Sequence, residues 1–122
     1  MTIAVSCDLE RTDSIHTTMQ LGKWEVTLYS DRGVDRTYNF YNYEFTFASN
    51  GIVTVAKVGF NVNGLWSSGL DNNIEKLLIS FSNSPLDDLN ENWRVVYESS
   101  TTVKLEHENT SGSDDRLTFE RL

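Results

Sequence analysis

This sequence predicts an all-β fold, an eight-stranded antiparallel up-and-down barrel. Three observations carry that reading. From Leu21 onward, apolar and polar residues alternate with period two, the mark of half-buried strands. The alternating stretches are short and are joined mostly by brief turn-forming runs, so neighbours in sequence pair as antiparallel neighbours in space. Each stretch has one apolar face, and rolling such a meander into a cylinder encloses those faces and removes both sheet edges. A two-sheet sandwich would need longer crossing connections. The domain organisation that follows is a tail or short helix over 1–20 and one barrel over 21–122.

The elements can be justified in order. Met1–Gln20 has no period-two pattern, and DLERTDSIHTTMQ suits a short helix with Leu9, Ile15 and Met19 on one side. In Lys23–Ser30, Trp24, Val26 and Leu28 alternate with Lys23, Glu25 and Thr27. A polar loop, SDRGVDRTYNFYN, leads to Tyr43–Ser49, where Tyr43, Phe45 and Phe47 share a face opposite Glu44 and Thr46. Asn50-Gly51 is the strongest local signal: both residues tolerate positive φ, so a type I′ turn is expected before the partner strand Ile52–Val58. Gly59–Asn63 turns, GLWSSG begins a fourth strand, and LDNN turns into Lys76–Ser82 with Leu77, Ile79 and Phe81 on one face. SPLDDLNE reads as one helical turn with Ser84 as N-cap, Pro85 at the first helical position and acids in the first turn. Trp93–Ser99 points Trp93, Val95 and Tyr97 inward, and Val103–Glu108 does the same for Val103, Leu105 and His107. NTSGSDD is a solvated loop, and Arg116–Leu122 ends the chain with Leu117 and Phe119 on one face.

Trp24, Trp66 and Trp93 each stand near the first inward position of an expected strand. Alternate strands run in opposite directions, so the tryptophans are expected at both ends of the barrel, plugging its mouths. Gly22 and Gly64, two residues before two of them, would let the backbone turn in closely.

These residues carry a resemblance. Gly22-Lys23-Trp24, echoed by Gly64-Leu65-Trp66, resembles the G-x-W hallmark of lipocalins and related calycin barrels. With Val26, Phe40, Tyr43, Phe45, Phe47, Gly51, Leu77, Ile79, Phe81, Trp93, Val95, Leu105, Leu117 and Phe119, the chain from Leu21 to Leu122 is similar to lipocalin-like domains of uncharacterised Bacteroidetes envelope proteins. The resemblance implies a barrel and a cell-envelope or periplasmic location, and it brings no catalytic residues with it. MTIAVSC is too short for a signal peptide and lacks a basic start; as the cut end of a lipoprotein signal it would make Cys7 the acylated residue, and otherwise Cys7 is an ordinary thiol in a tail.

Composition narrows the function classes. At 122 residues the chain is one domain, long enough for a core, and 39% hydrophobic residues argue against disorder. Ten Lys and Arg against 18 Asp and Glu give a net charge of −8, which disfavours nucleic acid and anionic lipid as partners. No apolar run approaches the ~20 residues of a membrane span, so membrane insertion is not expected.

Chemistry-bearing patterns are sparse. His16, His107 and Cys7 do not have zinc-site spacing, and the carboxylate clusters Asp87-Asp88-Glu91 and Asp114-Asp115 lack the alternating oxygens and central glycine of a calcium loop. No G-x-S-x-G or phosphate loop is present, and the Asn109–Ser111 sequon means little without a eukaryotic secretory route. Neither an enzyme nor a cofactor or metal is therefore expected. An eight-stranded barrel is just wide enough to be filled by its own side chains or to hold one small ligand. The inward bulk of Trp24, Phe45, Phe47, Trp66, Phe81, Trp93, Tyr97 and Phe119 leaves either a filled lumen or a narrow pocket near one mouth. Tyr43, Trp66, Tyr97 and His107 are the candidate ligand-binding residues: three carry polar tips on an inward face, and Trp66 supplies a wall. The leading expectation is a non-enzymatic domain taking a small apolar ligand. The alternative is a filled barrel that contacts proteins through loops such as Ser30–Asn42 and Asn109–Asp115.

Overall fold

The computed structural model describes residues 14–108 and 114–122. Cys7, Leu9 and the sequon at Asn109–Ser111 lie outside the described residues. A short helix, α1 (Ser14–Thr18), precedes nine strands: β1 (Lys23–Asp31), β2 (Val34–Asp35), β3 (Glu44–Phe47), β4 (Ile52–Lys57), β5 (Phe60–Asp71), β6 (Ile74–Ser80), β7 (Asn92–Glu98), β8 (Thr102–His107) and β9 (Asp115–Arg121). Single 3-10 turns cover Thr37–Phe40 and Leu86–Leu89. The sheet order is β2-β1-β3-β4-β5-β6-β7-β8-β9, all antiparallel, and β1 also pairs with β9 from Trp24↔Arg121 to Ser30↔Arg116. That last pairing closes the predicted eight-stranded barrel, with the two-residue β2 as an appendage on β1.

The inward faces follow the alternation. Trp24, Val26, Phe45, Phe47, Val53, Val55, Trp66, Leu77, Ile79, Phe81, Trp93, Val103, Leu105, Leu117 and Phe119 are all buried. Two β-bulges change the phase of this pattern. In β1 the register shifts between Val26 and Leu28, so Tyr29 takes the inward position and Leu28, expected inside, turns aside. In β7 it shifts between Val95 and Tyr97. Without the extra residue Tyr97 would face Val103 inside; with it, Tyr97 pairs with Lys104 and stands outside at 51% exposure. Glu98 takes the position facing Val103 instead.

Several turns differ from expectation. Asn50 keeps negative φ and only Gly51 is positive (88°), with Gly51 N–H donating to Ala48 O at 3.2 Å and Ala48 N–H to Ile52 O at 2.9 Å. This is a three-residue loop with a glycine bulge in place of the two-residue type I′ turn. The type I′ geometry occurs at Asn72-Asn73 (φ 53° and 67°), between the paired Asp71 and Ile74. β5 begins at Phe60, because Phe60 and Val62 continue the alternation that the sequence reading had assigned to a turn. At Leu86–Leu89 the cap position falls on Pro85 without a side-chain cap: Asp87 N–H donates to the carbonyl of Asn83 (2.8 Å), so Ser84 is not used.

The tryptophans act as clips. Trp24 Nε1 donates to Met19 O (3.1 Å), Trp66 Nε1 to Ala48 O (2.9 Å) and Trp93 Nε1 to Leu89 O (2.9 Å). Each buried indole thus satisfies its one donor on a connecting segment and fixes that segment to the barrel. Trp24 and Trp93 are the second residues of β1 and β7, which run in opposite directions, so they sit at opposite ends as expected. Trp66 lies mid-strand in the 12-residue β5. Gly64 is where a close approach is needed: a Cβ there would lie 2.5 Å from Phe81 Cδ1 and 2.6 Å from Ser80 O.

Candidate functional site

Aromatic contacts cross the barrel lumen. Phe45 of β3 meets Phe81, just past the end of β6, at 6.4 Å between centroids and Phe119 of β9 at 5.2 Å. Phe47 meets Trp66 of β5 at 5.4 Å and Phe119 at 5.7 Å. Edge-to-face packing between strands that are not neighbours fills the middle of the cylinder with rings.

Both mouths are capped. At one end Ile15 of α1 and Met19, the residue after it, both fully buried, close the opening. The Ser14 hydroxyl lies within hydrogen-bond distance of both Glu75 (2.9 Å) and Glu98 (2.9 Å) and shares its one proton between them, Ile15 N–H donates to Glu75 Oε1 (2.9 Å), and Thr18 bonds Glu98. His16 stacks on Trp66 at 4.9 Å and meets Ser68 Oγ at 3.1 Å. The β7 bulge makes this latch by bringing Glu98 round to face the mouth. At the other end Phe40, Leu86 and Leu89 are buried, and Tyr29 O–H reaches Asp88 O at 3.3 Å.

Among the described residues, open space that can take a molecule is found outside the barrel. A groove of about 760 Å³ runs over β5 and β6, lined by Leu65, Ser67, Leu78 and Ser80 together with Trp66 and Ile79, and bounded by Asn50 and Gly51 at one side and by Asn90, Glu91, Asn92 and His107 at the other. Leu65 pairs with Ser80, and Ser67 with Leu78. These four alternate with the buried Trp66, Leu77 and Ile79, which puts them on the outer face. Leu65 is 63% exposed and Leu78 43%. The walls are amides and hydroxyls. Glu91 is the one carboxylate in the lining.

Glu91 Oε1 lies 3.1 Å from His107 Nε2, both side chains being about one-third exposed. Burial is the main cause holding the Glu91 carboxyl above its ordinary value; His107 pulls it down, and Asp115 and Asp31 push it up. Burial also raises the nearby Tyr29 hydroxyl, with Asp31, Asp88, Asp115 and Glu91 adding to it. His107 leans on Trp93 edge-to-face at 6.3 Å. Four carboxylates, Asp31, Asp88, Glu91 and Asp115, thus act on Tyr29 or on one another at this corner, with Arg32 opposing them at Glu91.

The four sequence-predicted residues separate. Trp66 and His107 line the same groove. Tyr43 is buried away from it, stacked on Phe60 at 5.6 Å with Lys57 Nζ 4.9 Å above its ring. Tyr97 is outside for the reason given above and lies under Lys104. Leu65, Leu78, Asn90, Glu91 and Asn92 were missed. A signal existed: in Leu65-Trp66 and Leu77-Leu78-Ile79 adjacent apolar residues break the alternation, so one member must face water. Among the described residues, no three His, Cys, Asp or Glu side chains gather into a metal site, and no helix is long and apolar enough to cross a membrane.

No protein-family model and no curated protein matches the chain. Among solved structures, it is similar to the crystal structure of a DUF4847 family protein from Bacteroides vulgatus ATCC 8482, with 15% identity and a TM-score of 0.63. The likeness covers 88% of this chain and 97% of that one. It is a likeness of fold: the barrel read from the sequence is one that a Bacteroides protein also adopts.

Proposed function

We propose that this chain is a non-enzymatic, lipocalin-like domain that binds a small apolar molecule in the groove over β5 and β6, the lumen being occupied by the protein's own rings. The observation that carries the reading is the pair of exposed leucines, Leu65 and Leu78, on the floor of a groove of about 760 Å³. That volume lies within the ~300–1,000 Å³ typical of small-molecule sites. Exposed apolar surface between walls that carry a single carboxylate, Glu91, is also notable on a protein of net charge −8. An envelope or periplasmic location belongs to the same proposal and rests on the resemblance alone. Titration with Nile red, a neutral apolar dye, tests the site: saturable emission lost in Leu65→Gln and Leu78→Gln supports it. Binding that survives both substitutions, or no binding, contradicts it.

A second reading, a protein-contact domain acting through the loop after β1, is favoured by one observation. Tyr38 and Tyr41 are each 59% exposed on a segment pinned by Thr37, which bonds both Asp35 Oδ1 (2.7 Å) and the backbone of Tyr29. Rigidly presented tyrosines are common anchors of protein interfaces. Failure of the dye titration would leave this reading in place.

A further inference from the structure

The groove's charge identifies the class of molecule it takes. Its lining offers two exposed leucines, side-chain amides from Asn50, Asn90 and Asn92, hydroxyls from Ser67 and Ser80, the His107 ring, and one carboxylate, Glu91, at one end. His107 Nε2 engages Glu91 Oε1, and Oε2 has no partner among the described residues. Asp31 and Asp115 add negative potential at the same end. Arg32 opposes them at Glu91; two further cations on that side, Lys76 and Arg94, line a neighbouring hollow that shares Asn92 and His107, and Arg94 is already bonded to Glu106 at 3.1 Å. An anionic head entering the groove would meet Glu91 and the field of a domain with net charge −8. A neutral head would gain hydrogen bonds alone.

Resting on the proposed binding role, we infer that the groove takes a cationic amphiphile, with its ammonium group on Glu91 and its apolar body along Leu65 and Leu78. The ammonium pairs with Glu91 Oε2, the amide of Asn92 lies beside the head while that of Asn90 stays on the Phe81 backbone, and the alkyl or aryl part covers the leucines. The leucines supply most of the affinity and the carboxylate supplies the choice of head group.

Calorimetric titration of the full chain with dodecylamine, dodecanol and dodecanoate, each below its aggregation threshold at neutral pH, tests the inference. Dodecylamine is expected to bind tightest, about fivefold ahead of dodecanol, the upper end for a solvent-accessible ion pair, with dodecanoate weakest. Glu91→Gln is expected to erase the amine's advantage over dodecanol. Glu44→Gln removes the same unit of charge from β3, outside the groove, and is expected to leave the order intact; an equal effect would mean that net charge alone attracts the amine and would overturn the inference. His107→Gln, which frees Glu91 Oε1, is expected to strengthen amine binding. If dodecanol binds as tightly as dodecylamine and both depend on Leu78, the head-group inference fails while the binding role stands. If none of the three binds, both fail.

Discussion

Replacing Gly64 by alanine tests how tightly β5 and β6 are packed inside the barrel. The added Cβ would sit 2.5 and 2.6 Å from the Phe81 ring and 2.6 Å from Ser80 O. Carbon atoms in contact prefer about 3.5–4.0 Å, so each neighbour must retreat by roughly 1 Å. The Phe81 ring has little room, since it is 4% exposed and packs against Phe45. Ser80 O is main chain in the ladder that pairs Leu65 with Ser80, and moving it opens that ladder. Overpacking of this kind costs about 1–3 kcal/mol, and the backbone clash puts this case near the upper end. With an unfolding entropy of about 2.1 cal/mol/K per residue, the 122-residue chain has about 0.26 kcal/mol/K. A loss of ~3 kcal/mol therefore lowers Tm by roughly 12 °C. Gly69→Ala in the same strand is the control, because nothing lies within 4 Å of its added Cβ; its stability should change by less than about 0.5 kcal/mol. In a Phe81→Leu background the cost of Gly64→Ala should fall without vanishing, because Ser80 O remains. Urea unfolding of the parent and these four variants measures all of this. A Gly64→Ala variant as stable as Gly69→Ala would refute the packing argument.

Three further outcomes follow from the same structure. Trp93→Phe strands the Leu89 carbonyl and removes part of a fully buried ring, so urea unfolding should show a loss of about 2–4 kcal/mol; a loss under 0.5 kcal/mol would deny the clip its role. Ile15→Ala opens the α1 end of the barrel and should cost about 2–4 kcal/mol by the same assay, with faster amide exchange at Trp66 and Leu77; an unchanged variant would mean that the helix does not seal the mouth. Asp88 is held above its ordinary value first by burial, then by Asp87 and Asp31. The folded state therefore holds that proton more tightly than the unfolded chain, and the stability this gives is complete below the unfolded carboxylate pKa and lost as pH rises through the raised folded value. Asp88→Asn should accordingly gain on the parent at neutral pH and lose that gain in acid. A variant that gains nothing at neutral pH, followed by urea midpoints across pH, would contradict the assignment.

The sequence made the barrel legible because its period-two pattern survives across eight strands. Where the pattern failed, a local backbone event was responsible. Leu28 and Tyr97 were read as inward because alternation assumes a regular strand, and the bulges at Thr27 and Val96 advance the phase by one residue. Asn50-Gly51 was read as a type I′ turn, yet the pairing of Ala48 with Ile52 leaves three residues to accommodate; Asn72-Asn73 had two and took that geometry. Of the site, Trp66 and His107 were legible as residues and their surroundings were not. The inward-facing assumption directed attention to the lumen, whereas the groove uses the outward members of Leu65-Trp66 and Leu77-Leu78-Ile79. Glu91 was read only as part of a helix start, because its pairing with His107 joins segments 16 residues apart in the chain through the β7–β8 hairpin.

The central claim is that this barrel is full and binds on its outside. Methyl-resolved NMR during titration with dodecanol measures it most directly. The account predicts that the Leu65 and Leu78 methyls shift and saturate together while those of Val53, Val55, Leu105 and Leu117 in the interior stay still. Saturating shifts of the interior methyls, with Leu65 and Leu78 unmoved, would contradict it.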